Sequence, residues 1–221
     1  MKTGFIGLGQ QGKYLAINLV AAGHDLMVYD VRREPLEELV RAGATVADSP
    51  RAVGRHAEVT AICVLDDAQL EAVVLGPNGV LTAAAPDSVV VIHSTVEPSS
   101  IAKIAAAAAP LNIEVVDAPV SGGETGARGK TMSYMVGGSD RAVERCLPLF
   151  QTSGRAITRT GLSGSGIRAK LHPESEPFAD FLIRRDRDNP FVVQASGIES
   201  PGLTSCLAVG ELVGRLAAEG L

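Results

Sequence analysis

Along the first 160 residues two hydrophobic rhythms alternate. Short apolar runs of strand length ("TGFIGLG", "DLMVYD", "EVTAICVL", "SVVVIHST", "IEVVDAP" and "TMSYMVGG") are separated by stretches with helical spacing. "QQGKYLAINLVAAGH" carries Tyr14, Leu15, Asn18 and Leu19 on a helical repeat, and Gly23 stands where a C-terminal cap is expected. Pro35 opens a helix through "EPLEELVRAG", which Gly43 closes. A short helix starts at Asp67, another covers "PSSIAKIAAAAA", and Ser139 caps "SDRAVERCLPLF". Strands alternating with helices predict an α/β fold whose sheet is doubly wound, mostly parallel and covered on both faces.

The texture changes near Arg168. "RAKLHPESEPFADFLIRRDRDNP" is dense in charge and holds three prolines, so it cannot be one continuous helix. "FVVQASG" reads as a strand and "LTSCLAVGELVGRLAAEGL" as a final helix. The expected organisation is a main domain over 1–165 and an atypical strand-plus-helix tail over 166–221.

Composition narrows the possible roles. Apolar residues at 46% support a real core, and the absence of Trp with only 4% aromatics removes the stacking platforms of single-strand binders. A formal charge of −5 argues against gripping a phosphate backbone, so no nucleic-acid partner is expected. Cys63, Cys146 and Cys206 are odd in number and far apart, which suits reduced thiols in the cytoplasm rather than disulfides or zinc. "MKTGFIGLGQQG" lacks the pattern of a signal peptide, and no apolar window is long enough to span a bilayer. A cytoplasmic protein without a membrane partner is therefore expected.

The sharpest chemical signal is Gly7-Leu8-Gly9-Gln10-Gln11-Gly12, a G-x-G-x-x-G pattern at a strand-to-helix turn. The first glycine permits the turn, the second lets backbone approach a pyrophosphate, and the third lets helix pack on strand. Asp30 follows at the end of the next strand, about 20 residues on, where a carboxylate takes the ribose 2′-hydroxyl of NAD. The context predicts a Rossmann-type domain that binds NAD. Arg32 and Arg33 keep NADP open, because an arginine there accommodates a 2′-phosphate. His93 and His24 read as structural, and no His, Cys and carboxylate cluster has metal spacing.

From Thr3 to about Leu171 the chain resembles the β-hydroxyacid dehydrogenase family, which includes 3-hydroxyisobutyrate dehydrogenase and tartronate semialdehyde reductase. Four ordered blocks carry the resemblance: "GFIGLGQQGKYLAINLVAAGH", "HSTVEPSS", "DAPVSGGETGARGKTMSYMVGG" and "GLSGSGIRAKL". It implies an oxidoreductase that moves hydride between a small 3-hydroxy acid and NAD. It further implies that Val64 and Leu65 flank the cofactor and that Thr95 contacts its nicotinamide half. Ser121, Gly122 and Gly123 would hold the substrate, and Lys170 would be the catalytic lysine.

Beyond Lys170 the pattern departs from the family. An asparagine is expected one helical turn later, where this chain has Glu174, and His172-Pro173 interrupts the helix expected there. The remaining residues are too few for the family's all-helical domain. "GIRAKLHPESEPFADFLI" and "QASGIESPGLTSCLAVGELVGRL" are instead similar to the end of FAD-dependent L-2-hydroxyglutarate dehydrogenase. No further flavin-domain sequence accompanies them, so FAD is not an expected cofactor. A natural fusion, a rearranged gene and a built chimera all fit this junction. The alternative function is a truncated or chimeric NAD-binding module with little turnover, and the tail is also readable as a homo-oligomer contact.

Overall fold

The computed structural model describes residues 1–161, two strands at 182–185 and 193–196, and helical positions 212, 213, 215 and 218. The chain divides into two compact units, Met1–Gly166 and Ile167–Leu221.

The first unit begins with the unit that the glycine motif announces. Strand β1 (Lys2–Ile6) leads through Gly7–Gln11 into helix α1 (Gly12–Ala21), and β2 (Asp25–Tyr29) follows. Gly23, at φ +83°, ends α1 by returning its N–H to the Val20 carbonyl at 2.9 Å. Helix α2 (Glu34–Ala42) has Pro35 in its first turn and stops at Gly43, φ +112°. Then come β3 (Thr45–Val46), α3 (Pro50–His56), β4 (Val59–Ile62), α4 (Asp67–Leu75), β5 (Val89–Ile92), α5 (Pro98–Ala108) and β6 (Glu114–Asp117). The unit closes with β7 (Val120–Ser121), α6 (Gly123–Gly129), β8 (Met132–Gly137), α7 (Asp140–Phe150) and β9 (Gly154–Gly161). Ser139 caps α7 by accepting the Ala142 N–H at 3.1 Å.

The six strands β1–β6 are parallel, in the order β3-β2-β1-β4-β5-β6. Strand β8 then runs antiparallel to β6, β7 lies antiparallel on β8, and β9 pairs with β8 in parallel. Alternating strand residues feed two cores. Phe5, Val28, Val91 and Val116 pack with α1, α2, α6 and α7 on one face. Ile6, Ile62, Val90 and Ile92 pack with α3, α4 and α5 on the other. This is the expected doubly wound, mostly parallel sheet, with helices on both faces.

Several elements exceed the sequence reading: α3, β3, α6, β7 and β9 have too little periodic pattern to announce themselves. One of the helical-spacing residues, Asn18, proves to be a buried polar tie. Its Nδ2 donates to the Ala127 carbonyl at 2.8 Å and to Ser153 Oγ at 3.0 Å, which pins α6 and the turn before β9 onto α1. No helix among the described residues is long and apolar enough to cross a membrane.

In the second unit, β10 (Leu182–Arg185) and β11 (Val193–Ser196) form an antiparallel pair, with Leu182 opposite Ser196 and Arg185 opposite Val193. Strand β11 falls inside the expected strand "FVVQASG", while β10 arises within the charge-rich stretch.

Candidate functional site

The strand order turns around β1, whose neighbours are β2 on one side and β4 on the other. The loops leaving β1 and β4 therefore diverge and open a crevice at the carboxyl ends of the strands, the usual ligand position of an open α/β sheet. The three glycines of the first loop serve different ends. A Cβ on Gly7, which sits at φ +91°, would lie 2.3 Å from the Cys63 carbonyl oxygen, and one on Gly12 would lie 2.1 Å from the Gly7 carbonyl oxygen. A Cβ on Gly9 would meet nothing within 4 Å. Gly7 and Gly12 are thus demanded by the protein's own packing, whereas Gly9 leaves bare backbone facing the crevice. Helix α1 adds a positive pole: Gln11 at its N-cap makes no side-chain capping bond, and its first turn holds no acid.

The crevice encloses about 560 Å³. Gly7, Gly9, Asp30 and Arg32 border it together with Val64, Leu65 and Gln69. Val31 and Leu65, 86% and 81% exposed, offer two unburied apolar side chains at its border. Burial pushes the Cys63 thiol up to about 12, so it lines the crevice as a neutral group.

Asp30 is the electrostatic centre of the crevice. Its carboxylate is only 6% exposed and accepts the Leu8 N–H on Oδ2 at 2.6 Å. Its Oδ1 accepts the Arg32 backbone N–H at 2.8 Å and Nε at 3.2 Å. Arg32 also donates to the Leu8 carbonyl at 3.1 Å. Burial alone would raise the Asp30 pKa, but the Arg32 and Leu8 hydrogen bonds outweigh it and hold the group below the usual carboxylate range. Asp30 is therefore ionised at neutral pH and braces the glycine loop. Leu8 enters the site through its backbone only, because its side chain is 1% exposed and sits in the core.

The sequence-derived residues divide in space. Gly7, Gly9, Asp30, Val64 and Leu65 border one crevice. Gln10, Gln11 and Gly12 form the turn into α1. Thr95 is exposed, just past the carboxyl end of β5. Ser121 is half-buried, and its backbone registers with Ser133 of β8. Gly122 and Gly123 follow at φ +138° and +58°, and a Cβ on Gly123 would meet nothing within 4 Å. Lys170 and Glu174 lie outside the described residues.

Two residues of the site escaped sequence reasoning. Gln69 borders the crevice and accepts the Leu65 N–H on Oε1 at 3.2 Å, and Ser94 bonds both backbone groups of Val64. Only the first turn of α4 and the Ser-Thr pair after β5 hinted at them. His93 is structural, as expected: it is 3% exposed and its Nδ1 bonds the Ala118 carbonyl at 2.9 Å.

A family model for the NAD-binding domain of 6-phosphogluconate dehydrogenase matches residues 2–161. The chain belongs to this family of NAD-binding domains. The glycine cradle, the uncapped pole of α1 and the ionised Asp30 fit a dinucleotide. Among characterised relatives, the NAD-dependent L-serine dehydrogenase of Pseudomonas aeruginosa is 40% identical over 167 residues, covering 76% of this chain and 56% of that protein. The 2-hydroxy-3-oxopropionate reductase of Escherichia coli is 40% identical over 171 residues, covering 77% and 58%. The solved structure of Mycobacterium tuberculosis 3-hydroxyisobutyrate dehydrogenase with L-serine superimposes at a TM-score of 0.70 with 29% identity, covering 75% and 56%. The family resemblance read from the four sequence blocks is borne out by these matches. The chain spans a little over half the length of each of these relatives.

Proposed function

We propose that this chain supplies the cofactor-binding part of an oxidoreductase that moves hydride between a small 3-hydroxy acid and NAD. The observation that carries the reading is Gly9, whose backbone lies open to the crevice beside an ionised, buried Asp30. Gly7 to Gly12 hold the pyrophosphate against the pole of α1, and Asp30 takes the adenosine ribose hydroxyls. Val64 and Leu65 flank the cofactor, and Thr95 meets its nicotinamide half. NAD, when bound, supplies the hydride acceptor. Ser121, Gly122 and Gly123 grip the substrate carboxylate through a hydroxyl and backbone N–H groups. Lys170 takes the proton of the substrate hydroxyl as the carbonyl forms, and returns it in the reverse direction. The carboxylate of Asp30 favours NAD over NADP, because it repels a 2′-phosphate. The cofactor domain covers residues 1–165 and an atypical tail follows over 166–221, and the protein works in the cytoplasm.

A second reading is a module that holds NAD and turns over little. It is favoured by the family match, which is to an NAD-binding domain over residues 2–161 and stops short of Lys170. Calorimetric titration with NAD, followed by NADH formation from a panel of 3-hydroxy acids on the same preparation, separates the two. Turnover that Lys170→Ala abolishes supports the enzyme reading, and turnover that survives it removes Lys170 from the mechanism. Binding without turnover selects the module. A chain that binds no NAD refutes both.

A further inference from the structure

The geometry points to Ser94 as a positioning residue that presents Thr95 to the cofactor; the inference rests on the NAD reading above. Strands β4 and β5 are paired in parallel from Val59–Val89 to Ile62–Ile92, and one more rung follows, the His93 N–H on the Ile62 carbonyl at 2.8 Å. Continuing such a ladder would join the Val64 N–H to the residue 93 carbonyl and the Val64 carbonyl to the residue 95 N–H. The Ser94 hydroxyl takes both places instead. It accepts the Val64 N–H at 2.9 Å and donates to the Val64 carbonyl at 2.8 Å.

One side chain thus ends the ladder while keeping both backbone groups of Val64 paired. Thr95 is thereby released from the sheet, and it is exposed whereas Ser94 is buried at 5% exposure. A second tie holds the far side of the loop: the Glu97 N–H donates to Asp67 Oδ1 at 3.0 Å, in the first turn of α4. The loops after β4 and β5 are therefore joined on both sides of Thr95, and Val64 is itself a border of the crevice. Without the hydroxyl, Val64 recovers its hydrogen bonds most readily if Thr95 zips back onto the ladder, away from the cofactor.

This account predicts an energetic coupling, which a merely structural serine would not show. NAD affinity of the full chain is measured by calorimetry for wild type, Ser94→Ala, Ser94→Thr, Thr95→Ala and the double variant Ser94→Ala/Thr95→Ala. Ser94→Ala is expected to weaken NAD about tenfold, the scale of one lost buried hydrogen bond. Ser94→Thr, which keeps a hydroxyl, is expected to stay within about twofold of wild type, and the double variant within about twofold of Thr95→Ala. If Ser94→Ala does not give a cooperative melt, Ser94→Cys, with a weakly bonding thiol of similar size, takes its place in the cycle. Unchanged affinity in Ser94→Ala, or fully additive losses in the double variant, overturns the inference while leaving the NAD site standing. Wild type that binds no NAD fails the site itself.

Discussion

Acid should weaken the cofactor domain through His93. The imidazole is 3% exposed and packed among Phe5, Tyr134 and Phe150, with ring centroids 6.3, 5.6 and 6.0 Å away. Its Nδ1 bonds the Ala118 carbonyl, while Nε2 finds no partner among the described residues. A proton on Nε2 would place a cation in an apolar pocket, and this burial lowers the pKa from 6.5 to about 4, the Ala118 bond opposing only weakly. In the unfolded chain the same group titrates near 6.5. Between those values the unfolded state holds a proton that the native state refuses, so stability is complete above pH 6.5 and falls as pH drops towards 4. The interval corresponds to about 3 kcal/mol, of which roughly 2–3 kcal/mol is lost between pH 7 and 4.5. His24 is also held below its ordinary value, by burial and by the nearby N-terminal charge, and contributes in the same window. The decisive quantity is therefore a difference between two proteins. His93→Asn keeps an N–H near the Nδ1 position and removes the titration, at a pH-independent cost of about 2 kcal/mol for the cavity it leaves. Urea unfolding followed by far-UV circular dichroism should show the wild-type curve falling towards the variant's as pH decreases from 7 to 4.5. Parallel curves would refute the reasoning.

Gly9→Ala should melt like wild type, because its Cβ meets nothing within 4 Å, yet weaken NAD by about tenfold in calorimetry as the methyl group fills the cradle. Gly12→Ala should behave oppositely in origin: a Cβ 2.1 Å from the Gly7 carbonyl oxygen must displace backbone, lowering stability by about 1–3 kcal/mol in the same denaturation assay. Asp30→Asn keeps an acceptor for the Leu8 N–H but removes the charge, so the NADP-to-NAD affinity ratio should rise about tenfold or more; an unchanged ratio would dismiss Asp30 as the discriminating group.

Much of this molecule was legible along the chain because the relevant physics is local. Apolar periodicity marks β1, α1, β2, α2, β4, β5, β6, β8 and α7, since each must turn one stripe or one face inward. Glycine at positions 7, 9 and 12 and the carboxylate at 30 announce a dinucleotide loop because turn geometry constrains residue type over short spans. Short elements such as β3, α6 and β7 carry too few residues for a period to show. What only the tertiary structure decided are the ties between segments distant in sequence. Asn18 reaches Ala127 and Ser153 from a position that read simply as part of a helical face. Asp30 turns out to brace Leu8 as well as to offer charge, and Ser94 replaces a rung of the sheet. A buried polar atom must find its partner wherever the packed chain brings one, and that partner is chosen by the sheet order rather than by spacing in the sequence.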